Sequence, residues 1–232
     1  MDADLGLGNI DVLLGLAPKF NLSHVVMGAK SVSDIIVEGP GHLMILPASS
    51  GIQELTQLSQ DQNLQLLAKL EPLNELIDII LIDTAAGISS SVMHFNAAAH
   101  EIIVVVTPEP TSITDAYALM KLLSIKYSEK RFKLLVNLAK NIHDASEVYR
   151  QLNLVAEKFL DISIEYLGCI LFDENVFHGV KLQKVVAELF PDTQASKCFT
   201  SLAKKICLTR APSSPKGRMQ FLWRRFLDKG SE

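Results

Sequence analysis

Carboxylates in three short motifs are the residues of this sequence best suited to chemistry. DADLGLGN at 2–9 has two aspartates separated by one residue, followed by small residues that let backbone come close to a ligand. IDTAAG at 82–87 is an apolar run that ends in Asp83 and enters a small-residue turn, and PEPT at 108–111 forms a rigid turn. An aspartate after an apolar strand commonly holds Mg²⁺ in nucleotide-binding α/β proteins. Each motif alone also fits a helix cap or a solvated turn, so their joint order is the more informative signal.

The elements that would position these carboxylates are apolar strands alternating with helical segments. The predicted strands are 42–46, 78–83, 101–107, 132–137 and 164–171. The predicted helices are about 62–76, 89–99, 112–126, 144–160 and 193–207. Strands so rich in Ile, Leu and Val are buried on both faces, which predicts an α/β fold with a mainly parallel sheet and helices on both faces. Ligands on such sheets bind beyond the carboxyl ends of the strands.

Length and composition indicate an ordinary globular protein. The chain has 232 residues, 48% of them hydrophobic and 21% charged, with a mean hydropathy of +0.23. Disordered and fibrous proteins are thereby excluded. We expect one α/β domain over 1–209, a Pro- and Ser-rich linker at 210–217 and a helix at 218–229. Three cysteines without a CxxC pair, and no apolar run of about 20 residues, favour a cytoplasmic location.

Charge is distributed unevenly along the chain. Residues 204–232 contain 8 Lys and Arg against 2 Asp and Glu, so this tail carries +6 and residues 1–203 carry −10 of the overall −4. An anionic surface should therefore meet the C-terminal end of the chain. The acidic body makes direct DNA binding unlikely.

The motifs in this order resemble those of a known family. Beside the acidic motifs, the sequence has ILPASSG at 45–51, PEPTSITDAYALMKLL at 108–123, VN at 136–137 and PDTQASKCF at 191–199. It is similar over about 2–229 to the MinD/ParA branch of P-loop ATPases, and within that branch to the FlhG/FleN (YlxH) group that controls flagellar number and placement. The resemblance implies ATP and Mg²⁺ as cofactors.

The resemblance assigns the acidic residues to the metal and the attacking water. Asp4 corresponds to the catalytic aspartate that orients or activates the water, and Asp2 to its partner near the magnesium and the phosphates. Asp83 corresponds to the Walker B aspartate that holds Mg²⁺. These roles suit phosphoryl transfer, which needs a positioned water, a divalent cation and neutralised phosphates.

Three further residues correspond to nucleotide-binding positions. Gly87 resembles the switch glycine whose backbone senses the γ-phosphate, and Asn137 the asparagine that reads adenine. Asp173 belongs by resemblance to the base pocket. Phe172 stands before it where relatives usually have a proline, so the pocket departs from the family pattern there.

The P-loop is the family motif that this sequence does not contain. No GxxxxGK[ST] occurs in the 232 residues, and Met1 stands directly before DADLG. Because the P-loop supplies backbone N–H groups and lysines to the phosphates, we expect the first strand–P-loop–helix unit of the fold to be missing. Three explanations stay open: a start codon assigned too far downstream, a truncated or decaying gene product, or a pseudo-ATPase kept as a binding module.

An amphipathic helix is predicted at 218–229. Its apolar stripe and its nearby arginines are Met219, Leu222, Trp223, Phe226, Leu227, Arg224 and Arg225. Such a helix suits the interfacial zone of an anionic membrane and is similar to the membrane-targeting helix of MinD-type proteins. The alternative is that the stripe docks on the protein's own body. One short helix binds weakly, so dimerisation would make the attachment firm.

By resemblance, the intact protein is an ATPase that dimerises with ATP, binds the inner face of the cell membrane and regulates flagella. Its implied partners are an FlhF-type GTPase, flagellar switch or C-ring proteins and a FleQ-type activator. The alternatives are a nucleotide-independent interaction module, a MinD-type division-site regulator and a ParA-type DNA segregation ATPase. PASSG at 47–51 and PEPTSITDAY at 108–117 favour the flagellar branch.

Overall fold

The computed structural model describes residues 1–4, 6–48, 65, 68–70, 73 and 76–208. The chain divides into two compact units, the first containing Met1–Ala98 and the second beginning at Ala99. The predicted linker and C-terminal helix, and most of the predicted helix 62–76, lie outside the described residues. The extent of the single ATPase domain over 1–209 stays a prediction.

Short elements build the first unit. Its helices include α1 (Ile10–Leu13), α2 (Leu22–Val26), α3 (Val32–Ile35) and α4 (Ser90–Ala98), together with a short 3₁₀ helix at Pro40–His42. Two-residue strands β1 (Val37–Glu38) and β2 (Met44–Ile45) pair antiparallel. The predicted strand 42–46 is therefore shorter than expected and lies in a hairpin rather than in a parallel sheet. Side-chain caps start α2 and α3, because Asn21 accepts the N–H of Ser23 and Ser31 accepts the N–H of Asp34.

The core of the first unit gathers apolar side chains from these helices and from the start of the chain. Its buried members are Ala3, Leu22, Val25, Val32, Ile35, Leu46, Leu70, Leu73 and Phe95. Backbone hydrogen bonds hold two of its segments together. The N–H of Asp2 donates to the carbonyl of Leu46 at 3.0 Å, and that of Leu22 to Pro47 at 3.0 Å. The DADLG motif is thereby fixed beside the segment that ends at Leu46.

The segment predicted as strand 78–83 pairs with the start of the chain at one point only. Asp2 lies opposite Asp83 in an isolated parallel bridge. The N–H of Ala3 donates to the carbonyl of Asp83 at 2.7 Å, and the N–H of Asp83 to Met1 at 3.0 Å. Ile79 and Leu81 are 55% and 62% exposed. The predicted extent is wrong, because within the described residues this segment has neither a continuous ladder nor cover on both faces.

A three-stranded parallel sheet forms the centre of the second unit. Its strands are β3 (Ile103–Val106), β4 (Arg131–Ala139) and β5 (Ser163–Leu171), in the order β3-β4-β5. The register places Ile103 opposite Lys133 and Lys133 opposite Glu165. The prediction of a parallel sheet with strands near 101–107, 132–137 and 164–171 is confirmed.

Five helices accompany this sheet. They are α5 (Pro110–Tyr127), α6 (Ile142–Phe159), α7 (Glu174–Lys181), α8 (Val186–Leu189) and α9 (Gln194–Leu208). Helix α5 contacts β3, α6 contacts β4 and β5, and α9 contacts β5. The predicted helices near 89–99, 112–126, 144–160 and 193–207 are confirmed, whereas α7 and α8 were not predicted. Helix α5 starts two residues early because Pro110 fits the first helical position, where no N–H is needed.

Burial of β4 on both faces explains its sequence. Phe132, Leu134 and Val136 lie on one face and are almost completely buried, and Lys133 and Leu135 on the other face are 8% and 9% exposed. The Lys133 Nζ lies 2.9 Å from the Glu101 carboxylate, which compensates the buried charge. None of the helices in the described ranges combines the length and apolarity that a membrane span requires.

Candidate nucleotide and magnesium site

Asp2 is a buried carboxylate held by the loop that follows it. Its side chain and backbone together are 3% exposed. Oδ1 accepts the N–H of Asp4 at 3.1 Å, and Oδ2 accepts the N–H of Ile10 at 3.3 Å. The carboxylate therefore fixes both ends of the loop 4–10 through these two hydrogen bonds.

Burial raises the pKa of Asp2 above its ordinary value. The backbone donors from Ile10 and Asp4 oppose this shift, whereas the charge of Asp83 adds to it. The Met1 ammonium lies close enough to sense both carboxylates, donates to the carbonyl of Leu81 at 2.8 Å, and has its own pKa lowered by burial. A buried carboxylate close to a second one favours a cation beside it, because a divalent charge lowers the cost of ionising Asp2.

Asp4 has one carboxylate oxygen engaged and one available. Oδ1 accepts the N–H groups of Gly6 at 3.3 Å and Leu7 at 3.0 Å, which makes a tight turn. Among the described residues, Oδ2 has no hydrogen-bond partner. That oxygen is free to accept a hydrogen bond from a water molecule.

Asp83 and Gly87 frame the turn after the parallel bridge. The side chain of Asp83 is exposed while its backbone is bonded to Met1 and Ala3. Gly87 has a φ of +95°, a left-handed conformation that glycine adopts at low cost. Within the described ranges, no group of three or more His, Cys, Asp and Glu side chains could hold a metal ion. The role of Asp83 as a Mg²⁺ ligand stays a prediction.

Gly8 is required by the packing around Asp2. A Cβ at this position would collide with the side chain of Ala48 and would lie 2.7 Å from Asp2 Oδ2. Only glycine lets the loop close over the buried carboxylate. The small residues in DADLGLG predicted a close approach of the backbone to a ligand. In the structure, Gly8 instead approaches the side chains of Asp2 and Ala48.

Asn137 lies in a β-bulge near the carboxyl end of β4. Asn137 and Leu138 together face one residue of β5, because Val136 pairs with Cys169 and Ala139 with Leu171. Leu138 has a φ of +56°, and its N–H donates to Asn137 Oδ1 at 3.0 Å. A leucine in the left-handed region is strained, and bulges of this kind re-aim side chains beside functional sites. No sequence signal identified Leu138.

Asp173 caps α7 and ties it to α9. Its Oδ1 accepts the N–H of Asn175 at 3.0 Å and the Asn175 Nδ2 at 2.8 Å, and Oδ2 accepts the N–H of Ala195 at 3.3 Å. The hydrogen bonds from Asn175 are the main cause that lowers the pKa of Asp173. The residue before it, Phe172, is bonded through its N–H to the carbonyl of Ala139 at 2.9 Å. The carboxylate therefore has a structural role beside any contact with a base.

Comparison with known proteins decides the family. Over 227 residues the chain is 41% identical to the antiactivator FleN of Pseudomonas aeruginosa, covering 98% of this chain and 81% of FleN. The chain belongs to the FlhG-type (FleN/YlxH) group of the MinD/ParA family. The flagellum site-determining protein YlxH of Helicobacter pylori is 29% identical, with 97% of this chain and 78% of YlxH covered. No protein-family model matches the sequence.

A solved structure shows the same fold. The septum site-determining protein MinD of Pyrococcus horikoshii, determined with Mg-ADP, superposes with a TM-score of 0.68 at 20% identity, covering 88% of this chain and 81% of MinD. This likeness confirms the predicted MinD/ParA-like α/β fold class.

The structure groups the FlhG-type site residues in two sets. Asp2, Asp4, Asp83 and Gly87 lie in the first unit, around the parallel bridge. Asn137 and Asp173 lie in the second unit, at the carboxyl edge of β4 and β5. The predicted membrane-binding residues lie outside the described residues. Their roles, and the nucleotide roles of the other residues, stay predictions.

Replacing Gly8 with alanine should loosen the loop around Asp2. The added methyl overlaps the Asp2 carboxylate and Ala48, so we expect the free energy of unfolding of the first unit to fall by about 1–3 kcal/mol, as for overpacked cores. Urea unfolding followed by circular dichroism measures it. Leu7→Ala, in the same loop at an exposed position, is the control and should change stability by less than about 0.5 kcal/mol. Equal unfolding midpoints for the two variants would contradict the close packing at Gly8.

Proposed function

We propose that this protein is an FlhG-type regulator of flagellar number and placement that works through a Mg-ATP cycle. The observation that carries the proposal is the 41% identity to the antiactivator FleN along almost the whole chain. The name of YlxH, a flagellum site-determining protein, supports the same biological process.

The acidic residues of the first unit serve the metal and the water in this proposal. Asp83 and Asp2 would hold Mg²⁺, and the unengaged Oδ2 of Asp4 would orient the attacking water. A bound Mg²⁺ would neutralise charge on the phosphates. Support comes from the buried position of Asp2, the nearby charge of Asp83 and the Mg-ADP present in the MinD structure of P. horikoshii.

The base-binding side of the proposal rests on the bulge in β4. Because Asn137 Oδ1 is already occupied by the N–H of Leu138, the amide NH₂ of Asn137 is the group that can donate to an adenine ring nitrogen. Asp173 contributes by holding the start of α7 in place. The hydrogen bond from the Leu138 N–H restricts the orientation of the Asn137 side chain.

Dimerisation and membrane attachment complete the proposed cycle. ATP closes a homodimer, which presents two C-terminal helices to the inner face of the cell membrane and so converts two weak contacts into firm attachment. From the membrane, the dimer would act on an FlhF-type GTPase, on flagellar switch or C-ring proteins, or on a FleQ-type activator. The family resemblance and the +6 charge of residues 204–232 support this part.

Deleting the gene in its own host should increase the number of flagella per cell. An antiactivator restrains flagellar gene expression, so its loss releases that restraint. Electron microscopy counts the flagella, and the wild-type gene supplied in trans should restore the number. Septum position in the same cells is the control. Misplaced septa with unchanged flagella would instead identify a division-site regulator.

The ATP cycle is tested by calorimetry on this chain beside a form extended by the in-frame codons upstream. We expect Mg-ATP binding by the extended form and, for its Asp4→Ala variant, retained binding with hydrolysis slowed at least about 100-fold, because the water is no longer oriented. Asp83→Asn should weaken Mg-dependent binding, whereas Asp78→Asn, an exposed residue of the same segment, should not. Absence of binding by both folded forms would identify a nucleotide-independent interaction module.

Membrane attachment has a direct optical readout, because Trp223 is the only tryptophan of the chain. Phosphatidylglycerol-containing vesicles should shift its emission to shorter wavelength, whereas pure phosphatidylcholine vesicles should not. Arg224→Glu should raise the lipid concentration at half-maximal shift by about tenfold, since each basic residue near an anionic surface contributes about 1 kcal/mol. Lys140→Glu, on the body of the protein, is the charge-matched control. An equal response of both variants, or no shift at all, would favour docking of the tail on the body.

A further inference from the structure

Two phenylalanine rings form a pair at the carboxyl end of the parallel sheet. Phe172 follows β5 directly, and Phe177 is in α7. The ring centroids are 6.0 Å apart and the ring planes are tilted by 47°, which is within the range of favourable aromatic pairs. Phe172 is 51% exposed and Phe177 is 48% exposed. The pair therefore offers aromatic surface that the described part of the chain leaves open.

Phe172 is held in place from two directions. Its backbone N–H donates to the carbonyl of Ala139 in β4 at 2.9 Å, and its ring contacts the ring of Phe177. An exposed side chain that is already fixed loses little conformational freedom when a ligand covers it. The ring is thus a pre-organised contact surface.

The Phe172 ring shares its edge of the sheet with the side-chain amide of Asn137. Ala139, the hydrogen-bond partner of Phe172, is two residues after Asn137, so the spacing of strands places the two Cα atoms within roughly 10 Å. Asn137 Oδ1 accepts the N–H of Leu138, and among the described residues Asn137 Nδ2 donates no hydrogen bond. An open aromatic face and an available donor therefore lie together where parallel sheets bind ligands.

Asp173, the neighbour of Phe172, is directed toward the protein. Its carboxylate accepts hydrogen bonds from the N–H and Nδ2 of Asn175 and from the N–H of Ala195. These three bonds fix the start of α7 against α9. The part of this loop that stays open to a ligand is consequently the ring of Phe172.

We propose that Phe172 stacks on the purine base of the bound nucleotide, while Asn137 Nδ2 donates to a ring nitrogen at the edge of that base. This inference rests on the proposed Mg-ATP cycle. A purine has both a flat π face and ring-nitrogen acceptors, so one ligand satisfies both groups. An aliphatic side chain or an acyl chain would leave the amide donor of Asn137 without a partner. Stacking supplies affinity, and the amide supplies the choice of base.

Nuclear magnetic resonance of bound, isotope-labelled Mg-ATP tests the stacking directly. The sample is the full chain, either as it stands or extended by the in-frame upstream codons, whichever binds nucleotide. Ring currents of a phenyl group shift protons above its face upfield, so adenine H2 and H8 should move upfield on binding. Phe172→Leu, which keeps an apolar side chain without a ring, should lose this shift, and Phe172→Tyr should retain it.

Affinities separate stacking from a structural role. Phe172→Leu should weaken ATP binding by about tenfold, as expected for the loss of one base–aromatic contact. Magnesium tripolyphosphate has no base and should bind the wild type and Phe172→Leu equally. Phe159→Leu is the matched control, because Phe159 is 63% exposed at the end of α6 and precedes β5 rather than following it. Melting temperatures will show that the variants fold, and the wild-type spectrum tests stacking independently of them.

Three results would overturn the inference while leaving the proposed function intact. They are bound ATP with unshifted H2 and H8 in the wild type, equal ATP affinities of Phe172→Leu and Phe159→Leu, and equal weakening of ATP and tripolyphosphate binding by Phe172→Leu. The last result would assign Phe172 a structural role. Absence of nucleotide binding by both folded forms would instead contradict the Mg-ATP cycle and this inference together.

Discussion

Burial of β4 on both faces is the constraint on which the second unit depends. Phe132, Leu134 and Val136 are buried on one face and Lys133 and Leu135 on the other. The strand pairs in parallel with β3 on one side and β5 on the other. Parallel pairing collects the carboxyl ends of the strands at one edge and their starts at the opposite edge. The bulge with Asn137 and the cap at Asp173 lie at the first edge.

Asp2 organises the corresponding region of the first unit. The same carboxylate accepts two backbone N–H groups, excludes any side chain at position 8 and lies opposite Asp83 in the bridge. A group with so many structural contacts cannot move far to meet a ligand, which favours a pre-formed site over one assembled on binding. Its raised pKa reflects this confinement, since burial and a second carboxylate both disfavour its charge when no cation is bound.

Membership of the FlhG-type group and the contacts of individual side chains are separate kinds of evidence. Identity to FleN establishes descent, whereas hydrogen bonds, burial and charge indicate what individual side chains are able to do. Asp4 uses one carboxylate oxygen to accept two backbone N–H groups, and its role in orienting a water molecule stays a prediction. For Asp173 the structure adds a helix-capping role that the family pattern did not suggest.

The sequence by itself determined the second unit's sheet and long helices, because strands buried on both faces leave continuous apolar runs and helices leave a period of 3.6. The sequence motifs also assigned Asp2, Asp4 and Asp83 to one predicted site for Mg²⁺ and the attacking water. Only the tertiary structure decided that 78–83 pairs at a single bridge and that 42–46 forms a hairpin, since strand pairing joins residues far apart in sequence. The Leu138 bulge depends on the register against β5. No local pattern encodes it, because a bulge exists only where two strands pair.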